Sequence, residues 1–206
     1  MSFDAIARVY RFVEALVFGR ALQRARTAWI EDVRDARRAL IVGEGDGRFL
    51  EQLLRVAPAV HVDCLDASAT MLEIARARVR SERVTFVQAD LATYVPAQRY
   101  DLVVTHFVLD CFPAAAVATI VAQLATALER DGRWLIADFR IPDGAVRSRR
   151  ARFWLVVLYG FFRVVAGLRV TTLVDPTPLL RSNGLARVRW VETDAGFLGS
   201  ALWRRT

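Results

Sequence analysis

The sequence contains no lysine; all 29 of its formal cations are arginine, set against 22 aspartates and glutamates for a net charge of +7. Arginine's planar fork suits carboxylates and phosphates, so a nucleic-acid partner is weighed. The arginines are scattered over many segments without interleaved aromatics, which leaves that partner the lesser alternative. Only two cysteines are present, Cys64 and Cys111, both in apolar runs and without CxxC spacing, which excludes a disulfide framework and a zinc site and fits a reducing setting. The start, Met1-Ser2-Phe3-Asp4, has no basic flank or long apolar stretch of a secretory signal, so the expected location is cytoplasmic. The most apolar run, Phe153 to Phe162, is too short to span a bilayer before Arg163 interrupts it. Six prolines and eleven glycines in 206 residues exclude collagen-like and low-complexity chains, and at 54% hydrophobic the chain can bury a core in one domain.

What is present is alternation. From Arg38 onward short apolar runs give way to helical periodicity and back, the pattern of an α/β domain with a mostly parallel sheet. Strands are expected at Leu40–Val42, Val60–Leu65, Val84–Val87, Tyr100–Phe107 and Trp134–Ala137. Two more, Val188–Glu192 and Gly199–Trp203, would close the sheet as a hairpin. The expectation is a Rossmann-like, seven-stranded, mostly parallel sheet with helices on both faces and its last strand antiparallel. Between strands, Leu50, Leu53 and Leu54 mark one helix, and Ser68 caps another that presents Met71, Ile74, Ala75 and Val79. A third is striped by Val117, Ile120, Val121, Leu124 and Leu128. A short helix begins with Thr177 as cap and Pro178 at its first position and stops at Gly184. Two helical additions fall outside the alternation: residues 1–33, and an insertion over 144–170 rich in aromatics.

In an open α/β sheet ligands bind beyond the carboxyl ends of the strands, where strand order reverses. After the first strand, Gly43, Gly45 and Gly47 form G-x-G-x-G and let a ligand approach the backbone at a helix N-terminus. Glu44 and Asp46 in that turn would repel a pyrophosphate, so a ligand with a cationic portion fits better than a dinucleotide. Asp66 ends the second strand, where a carboxylate can accept both hydroxyls of a ribose, and Asp90 follows the third, where it either meets an adenine amino group or caps a turn. Each feature alone also has a purely structural reading, as a turn or a helix cap. Three of them at successive strand ends describe a nucleoside with a positively charged tail.

These segments resemble the class I S-adenosylmethionine-dependent methyltransferases. The resemblance runs through Leu40-Ile41-Val42-Gly43-Glu44-Gly45-Asp46-Gly47, Leu65-Asp66-Ala67-Ser68 with Met71-Leu72, and Gln88-Ala89-Asp90-Leu91. It continues in Tyr100-Asp101-Leu102-Val103-Val104-Thr105 and Asp131-Gly132-Arg133-Trp134-Leu135. Within the family, Phe3-Asp4-Ala5-Ile6-Ala7 with Tyr10 and Phe18-Gly19, and Asp138-Phe139-Arg140-Ile141-Pro142, are similar to ubiquinone and menaquinone C-methyltransferases. The resemblance implies S-adenosylmethionine as cofactor and no metal. Gly43, Gly45 and Gly47 would frame its methionine part, and Glu44, Ala67 and Met71 are also expected among the cofactor-binding residues. Asp66 would hold the ribose, Asp90 and Leu91 the adenine, and Thr105 would offer its carbonyl to the amino group. One position departs from the pattern: Ile41 stands where the family usually has an acidic residue, and either Glu44 or Asp46 replaces that charge or cofactor binding is weakened.

The loop after the fourth strand carries His106, Asp110 and Cys111, of which Asp110 is the first choice as general base, His106 is either catalytic or structural, and Cys111 is a small buried residue. Tyr10 either reaches over the cofactor or packs. The segment Phe153 to Leu168 is read as an apolar lid, a packing helix, or, with Arg147, Arg149, Arg150 and Arg152, a peripheral membrane contact. The expected function is methyl transfer to a small lipophilic or aromatic acceptor. A degenerate cofactor-binding partner subunit and an RNA methyltransferase stand as alternatives.

Overall fold

The computed structural model describes residues 20–142, 144 and 173–206. The sequence expectations for Tyr10, the 1–19 lead and the 145–170 insertion lie outside the described residues.

Helix α1 (Ala21–Thr27) and a 3-10 turn (Ile30–Val33) lead into the alternating core. It runs β1 (Arg38–Val42), α2 (Arg48–Val56), β2 (His61–Asp66), α3 (Ala69–Arg78), β3 (Val84–Gln88), β4 (Tyr100–His106), α4 (Ala114–Ala127) and β5 (Leu128–Phe139). After the insertion come α5 (Thr177–Ser182), β6 (Leu185–Thr193) and β7 (Leu198–Arg205). The strands form one seven-stranded sheet in the order β3-β2-β1-β4-β5-β7-β6, with β7 antiparallel to both its neighbours and the other pairs parallel. Strand order reverses between β1 and β4.

The central strands are apolar on both sides because helices cover both faces. Alternate residues go to alternate layers: Leu40, Val42, Val103, Trp134 and Ile136 meet α4 and α5, whereas Ala39, Ile41, Leu102, Val104 and Leu135 meet α2 and α3. Leu22 and Ala25 of α1 pack with Ala137, Phe197 and Leu198, where the C-terminal end of β5 meets the N-terminal end of β7. At the opposite rim Arg83, just before β3, reaches the carbonyls of Leu54, Ala57, Pro58 and Val60 at 2.7–3.4 Å and so finishes the C-terminal end of α2.

Four local expectations are corrected. The buried face of α3 runs through Leu72 and Ala75 to Val79, with Met71 and Ile74 half-buried, because the helix meets the sheet one residue round from the face expected. Leu128 closes α4 but already pairs with Tyr100, so β5 starts six residues before Trp134, and Asp131-Gly132 lies inside the strand with Asp131 at φ 62°. Helix α5 begins after Pro176; Asp175, not Thr177, supplies the capping carboxylate, accepting from Thr177 N at 2.9 Å. The fourth strand ends at His106, since Phe107 turns to φ 57°.

Candidate active site

The turn after β1 is built by close approach. Gly43 N donates to Leu65 O at 2.8 Å, which keeps the chain on the sheet one residue past the strand. A Cβ on Gly43 would lie 2.3 Å from Val108 Cγ2, so the loops after β1 and β4 touch across the switch point only because residue 43 has no side chain. At Gly47, just before α2, an added Cβ would lie 3.0 Å from Ala75 Cα of α3. Gly45 differs. It sits at φ +72°, and among the described residues no atom outside its own neighbours lies within 4 Å of where its Cβ would be.

Asp66 turns its half-buried carboxylate into that turn: Oδ2 accepts from Gly45 N at 3.3 Å and Oδ1 from Ser68 N at 2.9 Å. Ser68 in turn caps α3, accepting from Met71 N at 3.2 Å, which ties Asp66 to the helix start. Ala67 beside it is exposed and Met71 half-buried. Asp90 is exposed and its Oδ1 accepts from Ala92 N at 2.9 Å, which is the turn-capping geometry, while Leu91 is buried in the core. Thr105 is wholly buried, with its hydroxyl accepting from Trp134 Nε1 at 2.9 Å.

Both acids of the glycine turn are engaged within the protein. Glu44 folds inward, and its Oε1 accepts from Phe49 N and Leu50 N, both at 3.0 Å, so it caps α2. Burial raises its pKa to about 7 against the pull of those two N–H groups and of Arg26. Asp46 pairs with Arg48 at 2.9 Å and Arg78 at 3.3 Å. Ile41 itself is core, 1% exposed.

Beyond β4, His106 packs edge-on against Phe49 with ring centroids 4.6 Å apart. Burial, then the charge of Arg26, holds its pKa well below the usual value, so the imidazole is neutral and a weak proton acceptor. Asp110 is buried, and the carboxyl of Asp138 at the end of β5 is near enough for each to act on the other's charge. Among the described residues no N–H or hydroxyl donates to Asp138 Oδ1. Burial raises Asp110 to about 6 and, together with the Asp110 charge, raises Asp138 further. Cys111 Sγ lies 3.7 Å from Asp110 Oδ1, and burial first, then these carboxylates, raise its pKa, so it stays a thiol.

Two residues of this site escape a reading of the sequence. Asp138 was visible as a strand end, but its meeting with Asp110 depends on β4 and β5 being neighbours. Arg26, buried with its guanidinium 5.4 Å from the Phe107 ring centroid, acts electrostatically on both Glu44 and His106. Its only signal was a place on the apolar stripe of α1 with Leu22 and Ala25.

A protein-family model described as a methyltransferase domain matches residues 39–132, the stretch from β1 through the turn within β5. That stretch, just under half of the chain, carries a methyltransferase domain. Among curated relatives of this chain, the malonyl-[acyl-carrier protein] O-methyltransferase of Halalkalibacterium halodurans is 32% identical over 118 residues, 54% of this chain and 42% of that one. This chain spans less than half the length of the curated relatives it matches. The fold is also that of N-methyltransferase NodS from Bradyrhizobium japonicum, solved with S-adenosyl-L-homocysteine. That match has TM-score 0.67 and 18% identity and covers 89% of this chain and 87% of that one. Human N-acetylserotonin methyltransferase, solved with S-adenosylmethionine, matches with TM-score 0.68 and 20% identity, over 98% of this chain and 58% of that one. The face of Gly45 that the described residues leave clear, against the Asp66 carboxylate, is a cradle that such a cofactor fits: a single Cβ there would intrude on it.

Proposed function

We propose that this chain moves a methyl group from S-adenosylmethionine to a small acceptor, and that Asp110, with Asp138 near it, takes up the proton the acceptor gives off. The observation that carries this reading is the Gly45–Asp66 junction at the strand-order switch, with a backbone left clear by the described residues on one side and a half-buried carboxylate on the other. Gly43 and Gly45 would border the methionine part, Asp66 the ribose diol, and Asp90 with Leu91 the adenine. When bound, the cofactor supplies a methyl carbon on a cationic sulfur. The residues around the turn would serve that transfer by aligning the two reactants and excluding water. Asp110, raised to about 6 by burial, is poised to accept a proton from an acidic acceptor at neutral pH.

S-adenosylhomocysteine at saturation should raise the melting temperature of the wild type, and Asp66→Ala should abolish the shift while Asp66→Asn keeps part of it. A full shift in Asp66→Ala would refute the assignment. The inward turn of Glu44 and the pairing of Asp46 favour a second reading, a domain whose cofactor affinity is weakened at Ile41. That reading expects no shift in the wild type and no labelled product from any acceptor. Among the described residues no helix is long and apolar enough to cross a membrane.

A further inference from the structure

On the face of the sheet that carries α4 and α5, the β5–β7–β6 corner and the start of α5 enclose a cavity of about 300 Å³. Asp138 of the carboxyl pair lines it, together with Trp203, Trp190, Arg187, Arg140 and Asp175. Its far wall is made by an irregularity. The pairing of β6 with β7 shifts between Arg187 and Arg189, so that Arg187 lies opposite Trp203 and Trp190 opposite Ala201. Three residues apart on an unbroken strand, Arg187 and Trp190 would face opposite sides; the bulge at Val188 turns both into the cavity.

Trp190 is seated there by an absence of side chain on β7, since a Cβ on Gly199 would fall 2.4 Å from its ring. The Arg187 guanidinium carbon lies 4.8 Å from the Trp190 ring centroid and 5.9 Å from that of Trp203. Arg140 also lies over Trp190, at 5.1 Å, but its charge is taken by Glu192. Asp175 is committed to Thr177 N. On the opposite face of the same strand Arg189 pairs with Asp32 at 3.4 Å. Among the described residues no carboxylate lies within ion-pair reach of Arg187. It is a guanidinium held between two indoles, facing a cavity of ligand size.

We infer that this cavity is the acceptor site and takes a planar, largely apolar ring bearing a carboxylate, with the ring against Trp190 and Trp203 and the carboxylate on Arg187. The inference rests on the methyl-transfer reading, because it is Asp138 at the cavity wall that brings the acceptor to the carboxyl pair. Aromatic walls hold Arg187 in place, and its planar fork matches a carboxylate with two parallel bonds.

The test uses 2-naphthoate and its neutral analogue 2-naphthamide, titrated calorimetrically into the full chain. A thermal shift with S-adenosylhomocysteine is recorded on the same samples. Wild type should bind the naphthoate about tenfold more tightly than the amide, as expected for a charge-assisted bidentate pair. Arg187→Gln should remove that preference and leave naphthamide binding and the S-adenosylhomocysteine shift unchanged, and Arg189→Gln should alter none of the three. Absence of binding by either probe, equal binding of the two by wild type, or a preference that survives in Arg187→Gln would each overturn the inference. A missing S-adenosylhomocysteine shift in wild type would count against the methyl-transfer reading instead, while the naphthoate comparison still reports on the cavity.

Discussion

Gly43 and Gly45 stand two residues apart in one turn, both with left-handed backbone, yet an added methyl group should act on them through different physics. At Gly45 the new Cβ meets no atom of the described residues within 4 Å, which leaves the backbone term, roughly 1–2 kcal/mol for an L-residue held at positive φ. For a chain of this size each kcal/mol lowers the melting temperature by about 2–4 °C, so Gly45→Ala should melt about 2–8 °C below wild type. At Gly43 the same backbone term is joined by a 2.3 Å clash with Val108 Cγ2, and overpacking adds roughly 1–3 kcal/mol. Replacing Val108 by Ala in the Gly43→Ala background should return part of that second term. Ligand binding separates the two positions further. S-adenosylhomocysteine at a hundred times its dissociation constant stabilises by about 2.7 kcal/mol, or roughly 5–11 °C, which differential scanning fluorimetry resolves. Gly45→Ala should lose that shift despite its milder destabilisation, because its methyl fills the space the cofactor needs. A Gly45→Ala protein that keeps the full shift, or that is as unstable as Gly43→Ala, would refute the reasoning.

Glu44 has its pKa raised to about 7, so its protonation favours the folded state: that contribution is complete below its ordinary value of 4.5 and is lost as pH rises through 7. Glu44→Gln, which keeps an oxygen for Phe49 N and Leu50 N, should therefore flatten the decline in melting temperature between pH 5 and 8. Glu44→Ala should cost about 1–2 kcal/mol at pH 5 by denaturant titration, from loss of the cap, and less as pH rises through 7. Asp138→Asn removes one titrating member of the carboxyl pair, whose raised pKa values likewise lower stability as pH climbs past about 6, and should be more stable than wild type at pH 8. Asp110→Asn should slow transfer of labelled methyl by about 10²-fold or more once an acceptor is in hand, with the S-adenosylhomocysteine shift intact.

The parallel core was legible because its signals are local. β1 and β4 are continuous apolar runs, Ser68 stands three residues before the N–H it caps, and the glycines mark a strand-to-helix turn whatever lies around them. What was hidden depends on neighbours distant in sequence. Glu44 reads as a charged turn residue until α2 is placed, when its carboxylate is found under the helix start. Asp110 and Asp138 lie 28 positions apart and meet only because β5 pairs with β4. Arg187 and Trp190 have the wrong spacing to share a strand face, and no periodicity reveals a bulge. The misassigned face of α3 arose because Met71 and Ile74 outweigh Ala75 in hydrophobicity, whereas it is Leu72 that the sheet reaches.

Arg83 draws one further consequence from the lysine-free composition. A single side chain clasps the end of α2, the loop beyond it and the approach to β2, so the half of the sheet carrying Asp66 is cinched at the edge remote from chemistry. An ammonium in its stead would offer one compact charge where a flat, multi-pronged donor now bridges several oxygens. Loosening there would pass along β2 to the Asp66 carboxylate at its far tip, the group proposed to hold the ribose.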